Sequence, residues 1–469
     1  MEVKIVEEYE VRLPTTVDQE TTERALSLSF LDLPWLFFPP SQPLFLFHYP
    51  HSLPNFLSAE LPALKRSLSL CLFPFSPFSG QLSLSPRPSI LFSPVDRVLL
   101  TVAESSSDFH YLSTSHPRDA RDFECLVPSF PASAMHLPLP LLAIQVTLFP
   151  GSAGLSIGLA YHHVVGDGRT FDHFLRAWSA LCRSQLSGLP TLTLPPPWPC
   201  LDRTAISDPG GLESTFLHEL ELWRQATDGE WPIGLAALPS GFDLQRATFL
   251  VTPTDMADIK RGIIARCDSI GQPHPIYLSP YVLACTLLWV AWVRTHFLPA
   301  LAGGANGDNR PVYFGFIAGG NTRMEYSVPR TYVGNFVGFG RAKAISWELL
   351  GDDGTTVAAR EIGATIKKLD KDALGEAKTW ISDWKLFWDA EEHVIMVGSP
   401  KVALYDVDFG WGRPVKIEDL SIDMSRRKAI SLMESRNFKG GIEAGVVLPR
   451  DSLRRFASHF KEALSFFTQ

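Results

Sequence analysis

The chain has 469 residues, 45% hydrophobic and 20% charged, enough for two domains or one large one with a sizeable core. Its formal net charge of −8 lacks the basic excess expected of a nucleic-acid binder. Six cysteines, at 71, 125, 182, 200, 267 and 285, form neither C-x-x-C pairs nor zinc spacing, as expected of a protein kept in a reducing compartment.

Alternation of Val3, Ile5, Tyr9, Val11 and Leu13 predicts an opening strand. This charged start is not expected to be a signal peptide, and the protein is expected in the cytoplasm. Residues 34–100, crowded with Pro, Ser, Phe and Leu, predict short strands and a helix near 55–70. Strand-like runs at 137–149 and 155–161 flank a Pro150-Gly151 turn. A helix at 170–184 then puts Phe171, Phe174, Leu175, Trp178 and Leu181 on one face.

Residues 187–211, with Pro190, Pro195, Pro196, Pro197, Pro199 and Pro209 and no periodicity, read as a crossover linker between domains 1–186 and 212–469. Beyond it the pattern predicts a strand at 247–251, a helix at 255–266 and a buried helix at 279–294. Strands follow at 312–318, 394–398, 402–408, 429–433 and 441–447, then a helix at 451–466 striped by Leu453, Phe456, Phe460 and Leu464. The apolar run 281–293 is shorter than the ~20 residues a bilayer span needs, so it reads as a core helix and no membrane is expected as a partner. Glycine-rich stretches at 303–307 and 334–340 lack the strand–turn–helix order of a dinucleotide site and read as loops.

His163 stands where the strand 155–161 opens into a turn, and Asp167 follows four residues later between two glycines. An imidazole held there suits proton transfer near neutral pH. His162, its neighbour, points to the opposite face and reads as structural. With 13 histidines, roughly one accidental H-x-x-x-D match is expected, so this pattern decides little by itself. The string Asp408, Phe409, Gly410, Trp411, Gly412 is far more specific, with an accidental frequency on the order of one in ten thousand.

Two other chemistries fit local patterns. Gly154, Ser156 and Gly158 match the G-x-S-x-G elbow of serine hydrolases, but the elbow needs a helix directly after the serine and here the strand continues. His162, His163, Asp167, Asp172 and His173 are dense enough for a metal site but show no ligand spacing, so no metal is expected.

Together, H-x-x-x-D-G and D-F-G-W-G resemble the BAHD family of plant acyl-CoA-dependent acyltransferases, and the likeness covers nearly the whole chain. Segments 26–35, 61–69 and 74–80 look like the family's opening region. Tyr332, Val333, Gly334 and Asn335 resemble the Y-F-G-N-C element of the anthocyanin and phenolic-glucoside branch, with Val333 for Phe and Phe336 for Cys. Asn321-Thr322-Arg323 sits where D-x-R is usual, and 116–123 and 408–416 also look like that branch.

The resemblance implies an α/β fold of two chloramphenicol acetyltransferase-like domains, joined by a long crossover, with an active-site channel between them. It implies an O-acyltransferase with His163 as general base, acting on a phenolic or flavonoid glucoside. The co-substrate would be an acyl-CoA, malonyl-CoA first and hydroxycinnamoyl-CoA second, with no permanently bound cofactor. Asp167 would pair with Arg323, with Asn335 nearby, and Asp408, Gly410 and Gly412 would be architectural. Lys260, Arg261 and Ser279 would contact the coenzyme. The family is usually monomeric. N-acylation, a serine hydrolase using Ser156 and a catalytically silent binding protein are the alternatives.

Overall fold

A computed structural model describes residues 2–14, 23–130, 139–189, 197–226, 243–302, 309–387, 390–423 and 428–467. It shows a mixed α/β fold with two domains, each organised on one large sheet. The first sheet has the spatial order Val3–Arg12, Arg97–Ser105, Leu142–Phe149, Gly154–Tyr161, Pro43–His48, Lys416–Asp419. Arg97–Ser105 pairs in parallel with Leu142–Phe149, and the other neighbours are antiparallel. Leu142–Phe149 and Gly154–Tyr161 are buried at every residue, which is why both faces of each strand are apolar apart from the buried Gln145, Thr147 and Ser156. Helices Leu61–Leu72 and Gly168–Leu186 pack together within the same core.

The second sheet runs Val337–Ile345, Pro311–Gly319, His393–Gly398, Ala429–Glu434, Ile442–Pro449, Leu244–Val251, Arg118–Asp119. Helices Pro253–Ser269, Pro280–Ala302, Gly354–Lys371 and Arg450–Ser465 pack around it. A small third sheet joins Arg24–Ser27, Ser89–Phe92, Gln81–Ser83 and Leu139–Pro140. The stretch Pro280–Leu298 is long and apolar enough to cross a membrane, but 78% of its most apolar window is buried inside the protein. It is the core helix that its composition suggests.

Two strands cross between halves of the chain. Arg118–Asp119, early in sequence, closes the second sheet, and Lys416–Asp419, late in sequence, closes the first. Helix Leu212–Ala226 also buries Leu212, Phe216 and Leu220 in the first core. The crossing strands carry buried charge. Arg118 and Arg246 both pair with Glu418, at 2.8 and 2.6 Å, and Arg246 also holds Asp423.

Two expectations are corrected. Residues 402–408 form turns around a short 3-10 segment, Leu404–Asp406, because their N–H groups are satisfied within the loop and by the Glu434 carboxylate. Part of the glycine-rich stretch 334–340 belongs to the edge strand Val337–Ile345. There the glycines serve close packing: a Cβ on Gly340 would lie 2.6 Å from the Phe316 ring. The stretch 303–307, the start of 137–149, and Pro190, Pro195 and Pro196 of the linker lie outside the described residues.

Candidate active site

The strand Gly154–Tyr161 is held between Leu142–Phe149 and Pro43–His48, so its end is fixed on both sides. It delivers two adjacent histidines into different surroundings. His162 is fully buried, and its Nδ1 accepts the Val164 N–H at 3.3 Å. Burial, with His163 nearby, pushes its imidazole down to about 3. His163 opens a single 3-10 turn, His163–Val165, and is only partly buried. Burial is the largest influence on it too, outweighing the Asn335 hydrogen bond, and holds it down at about 4. It is therefore a neutral imidazole at neutral pH.

Three contacts hold His163, two of them on its ring. Trp35, from the 3-10 turn Leu33–Phe37, stacks on it with ring centres 3.6 Å apart and planes 12° from parallel. The Asn335 Oδ1 lies 3.0 Å from His163 Nδ1, and Asn335 Nδ2 donates to the His163 carbonyl at 2.8 Å. Asn335 is itself gripped by Asp32, whose Oδ1 accepts its backbone N–H at 2.9 Å and its Nδ2–H at 3.0 Å. Asp32 is fully buried and pairs with Arg203. Beyond Trp35 an aromatic wall continues through Phe38, Phe339, Trp384 and Trp380. The last three of these and Phe316 edge a cleft that Arg341, Asp383 and His393 also line.

Asp167 is placed otherwise than the resemblance implied. It is the N-cap of helix Gly168–Leu186: its Oδ1 accepts the N–H of Arg169 and Thr170 at 3.0 and 3.2 Å. Its Oδ2 accepts the Phe336 N–H at 3.1 Å, which ties the H-x-x-x-D turn to the segment carrying Asn335. A helix N-terminus satisfies a carboxylate without a counter-cation, and the expected Asp167–Arg323 pair is not formed. Arg323 pairs with Asp370 at 2.8 Å and donates to the Gly319 carbonyl. Gly166 is required by crowding, since a Cβ there would lie 2.5 Å from Thr170.

The D-F-G-W-G loop stands at the other end of the same helix. Asp408 Oδ1 accepts the N–H of Gly410 and Gly412 at 2.8 and 3.0 Å, with Arg183 Nη1 3.6 Å from its Oδ2. Gly410 and Gly412 have φ of 119° and 97°. Phe409 is buried against Trp178. From Gly168 to Arg183 a helix rises about 22 Å, so this loop is remote from His163.

Lys260 and Arg261 are exposed on helix Pro253–Ser269, with Arg261 bonded to Asp258 at 2.5 Å. Ser279 is exposed just before Pro280–Ala302, where its Oγ accepts the Val282 N–H at 3.4 Å. No hydrogen bond joins these three among the described residues. Ser156 is fully buried in mid-strand, opposite Leu46 and Thr147, with no helix directly after it. Asp172 is taken by Arg176, and His173 lies edge-on to Phe75. Among the described residues no three His, Cys, Asp or Glu side chains meet as metal ligands.

Sequence reasoning missed Asp32, Trp35 and Arg203. The available signal was an acidic residue inside the apolar run 28–38, since a lone buried carboxylate needs partners.

A family model described as the Transferase family matches residues 6–202 and 285–463. The chain is 34% identical to phenolic glucoside malonyltransferase 2 of Arabidopsis thaliana, covering 94% of each. It is 32% identical to a malonyl-coenzyme:anthocyanin 5-O-glucoside-6'''-O-malonyltransferase of Salvia splendens, over 94% of this chain and 92% of that one. It is 30% identical to coumaroyl-CoA:anthocyanidin 3-O-glucoside-6''-O-coumaroyltransferase 1 of Arabidopsis thaliana, over 99% and 98%. In fold it is similar to vinorine synthase, with TM-score 0.68 at 17% identity, covering 97% and 96% of the two chains. It is also similar to F. graminearum TRI101 complexed with ethyl coenzyme A, with TM-score 0.62 at 14% identity, covering 93% and 97%.

Proposed function

The chain belongs to the Transferase family, the BAHD acyltransferases, and from that premise we propose that it transfers an acyl group from acyl-CoA to a hydroxyl of a phenolic or flavonoid glucoside. Malonyl-CoA is the first-choice donor and a hydroxycinnamoyl-CoA such as coumaroyl-CoA the second, in line with the names of its relatives.

The observation that carries the reading is the state of His163: neutral, stacked on Trp35, with Nδ1 toward Asn335 Oδ1. Nδ1–H donates to that oxygen, leaving the lone pair on Nε2. In the proposed reaction Nε2 removes the acceptor O–H proton as that oxygen attacks the thioester carbonyl. The C–O bond forms, the C–S bond breaks, and the imidazolium returns its proton to the departing coenzyme A thiolate. A thioester is already activated, so no covalent enzyme intermediate is required. The aromatic wall of Phe38, Phe339 and Trp384 supports a planar phenolic acceptor.

Lys260, Arg261 and Ser279 are proposed to meet the coenzyme, and the chain is proposed to act as a cytoplasmic monomer. Its six free cysteines support a reducing compartment. Coenzyme A release would be measured with malonyl-CoA and coumaroyl-CoA against a panel of glucosides and amines, with mass spectra of the products. Acyl glucosides are the expected products. Exclusive acylation of amines, or no release with any pair, would refute the reading.

A further inference from the structure

We propose that Asp32, acting through Asn335, is a positioning residue that fixes the tautomer of His163, and that Arg203 of the crossover segment holds Asp32 in place. The inference rests on His163 being the base.

The argument is one of donors and acceptors. Asp32 paired with a buried guanidinium is a carboxylate, which only accepts. Its Oδ1 lies 3.0 Å from one amide terminus of Asn335, and the His163 carbonyl lies 2.8 Å from that same terminus. Two acceptors converge there, so that terminus must be the NH2 group. The amide oxygen is thereby turned toward His163 Nδ1, 3.0 Å away. An oxygen in that place demands Nδ1–H, and Nε2 is left as the basic nitrogen. Were the amide reversed, its NH2 would face Nδ1 and its oxygen would face a carboxylate and a carbonyl.

The relay is anchored on three parts of the chain. Asp32 Oδ2 accepts from the Ser29 N–H at 2.8 Å and its hydroxyl at 2.6 Å, which fixes the carboxylate plane. Arg203, whose side chain is 8% exposed, sets its charge against the buried Asp32 carboxylate. The crossover also grips the segment carrying Asn335: Cys200 N–H donates to the Thr331 carbonyl, and Val333 N–H to the Cys200 carbonyl, both at 2.8 Å. The crossover thus reaches the base through Arg203, Asp32 and Asn335.

The test is a nitrogen spectrum of the full-length protein labelled with 15N-histidine, the His163 signals being identified by their loss in His163→Gln. The wild type is expected to show His163 as a single neutral form protonated on Nδ1. Asp32→Asn, which can present either an oxygen or an NH2 to Asn335, is expected to give a mixture of tautomers. Its kcat should fall at least ~10-fold, with the acyl-CoA KM changing less than about twofold, because only the base is misoriented. Arg203→Lys should retain the Nδ1–H form, and Arg203→Met should lose it. A wild-type His163 protonated on Nε2 overturns the proposal even if no variant folds, as does an Asp32→Asn protein with unchanged tautomer and kcat. Undiminished turnover by His163→Ala would instead remove the functional reading, so the two failures are told apart.

Discussion

On the proposed reading of His163 as the base, the burial that keeps its imidazole neutral sets the pH profile. With the His163 imidazole near 4, the acidic limb of kcat/KM is expected well below 6.5, and turnover should be flat between about pH 6 and 8. A limb centred near 6.5 would show that the imidazole is not desolvated as described. Asn335→Asp places a carboxylate beside the ring, favours the imidazolium and should move that limb upward. Stability follows the same sign. Folded His162 and His163 titrate below the unfolded value of about 6.5, so the unfolded chain binds more protons between 6.5 and 3. The melting temperature should therefore fall as pH drops through that window, and His162→Gln should blunt the fall. His163→Ala is expected to lose ~10²–10⁴-fold in rate.

At the scale of the element, helix Gly168–Leu186 is the strut between both signature motifs, with Asp167 at its start and the D-F-G-W-G loop near its end. Asp167→Ala removes an N-cap and an acceptor for the Phe336 N–H, a cost of about 1–3 kcal/mol, so melting temperature and turnover should drop together. Gly410→Ala forces a side chain at φ 119°, with its Cβ 2.7 Å from Leu186, and should cost about 1–3 kcal/mol while leaving substrate KM values nearly unchanged. Arg323→Ala should keep most of the activity, because Arg323 engages Asp370 rather than Asp167. Loss of turnover comparable to Asp167→Ala would contradict that placement. On helix Pro253–Ser269, the double change of Lys260 and Arg261 to Ala should raise the acyl-CoA KM and spare the acceptor KM.

Across the whole molecule, the exchanged strands make the two sheets depend on each other. Glu418, on a strand that the C-terminal half lends to the first sheet, takes Arg118 and Arg246 from the second. Glu418→Gln leaves two buried guanidinium groups short of negative charge, a cost of about 3–5 kcal/mol. Denaturant unfolding should show both domains weakened together. Two separated transitions, with only one shifted, would mean that the exchanged strands do not couple them.

Local physics made a good part of this legible beforehand. The apolar run 155–161 leading into His163, the turn glycines around Asp167 and the stripe of Leu453, Phe456 and Phe460 each reflect contacts between near neighbours or simple burial. The strand Val337–Ile345 was hidden because Gly340 answers to Phe316 and Leu369, and Gly338 to the Ala373 carbonyl, across the packing and not to a turn in the chain. The turn at 402–408 was hidden because its short apolar run, Val402 to Tyr405 with Val407, suits strand and irregular loop equally. What the sequence could not choose was the partner of each buried polar group. His163 meets Asn335 across 172 residues, and Asn335 meets Asp32 across 303. Composition and motif fixed the residue types and the turn that presents His163. Only the tertiary structure decided that Asp167 also takes the Phe336 N–H, that Arg323 serves Asp370, and that Asp32 stands behind the imidazole. A hydrogen bond is settled by which donor reaches an acceptor within about 3 Å, and spacing along the chain does not carry that distance.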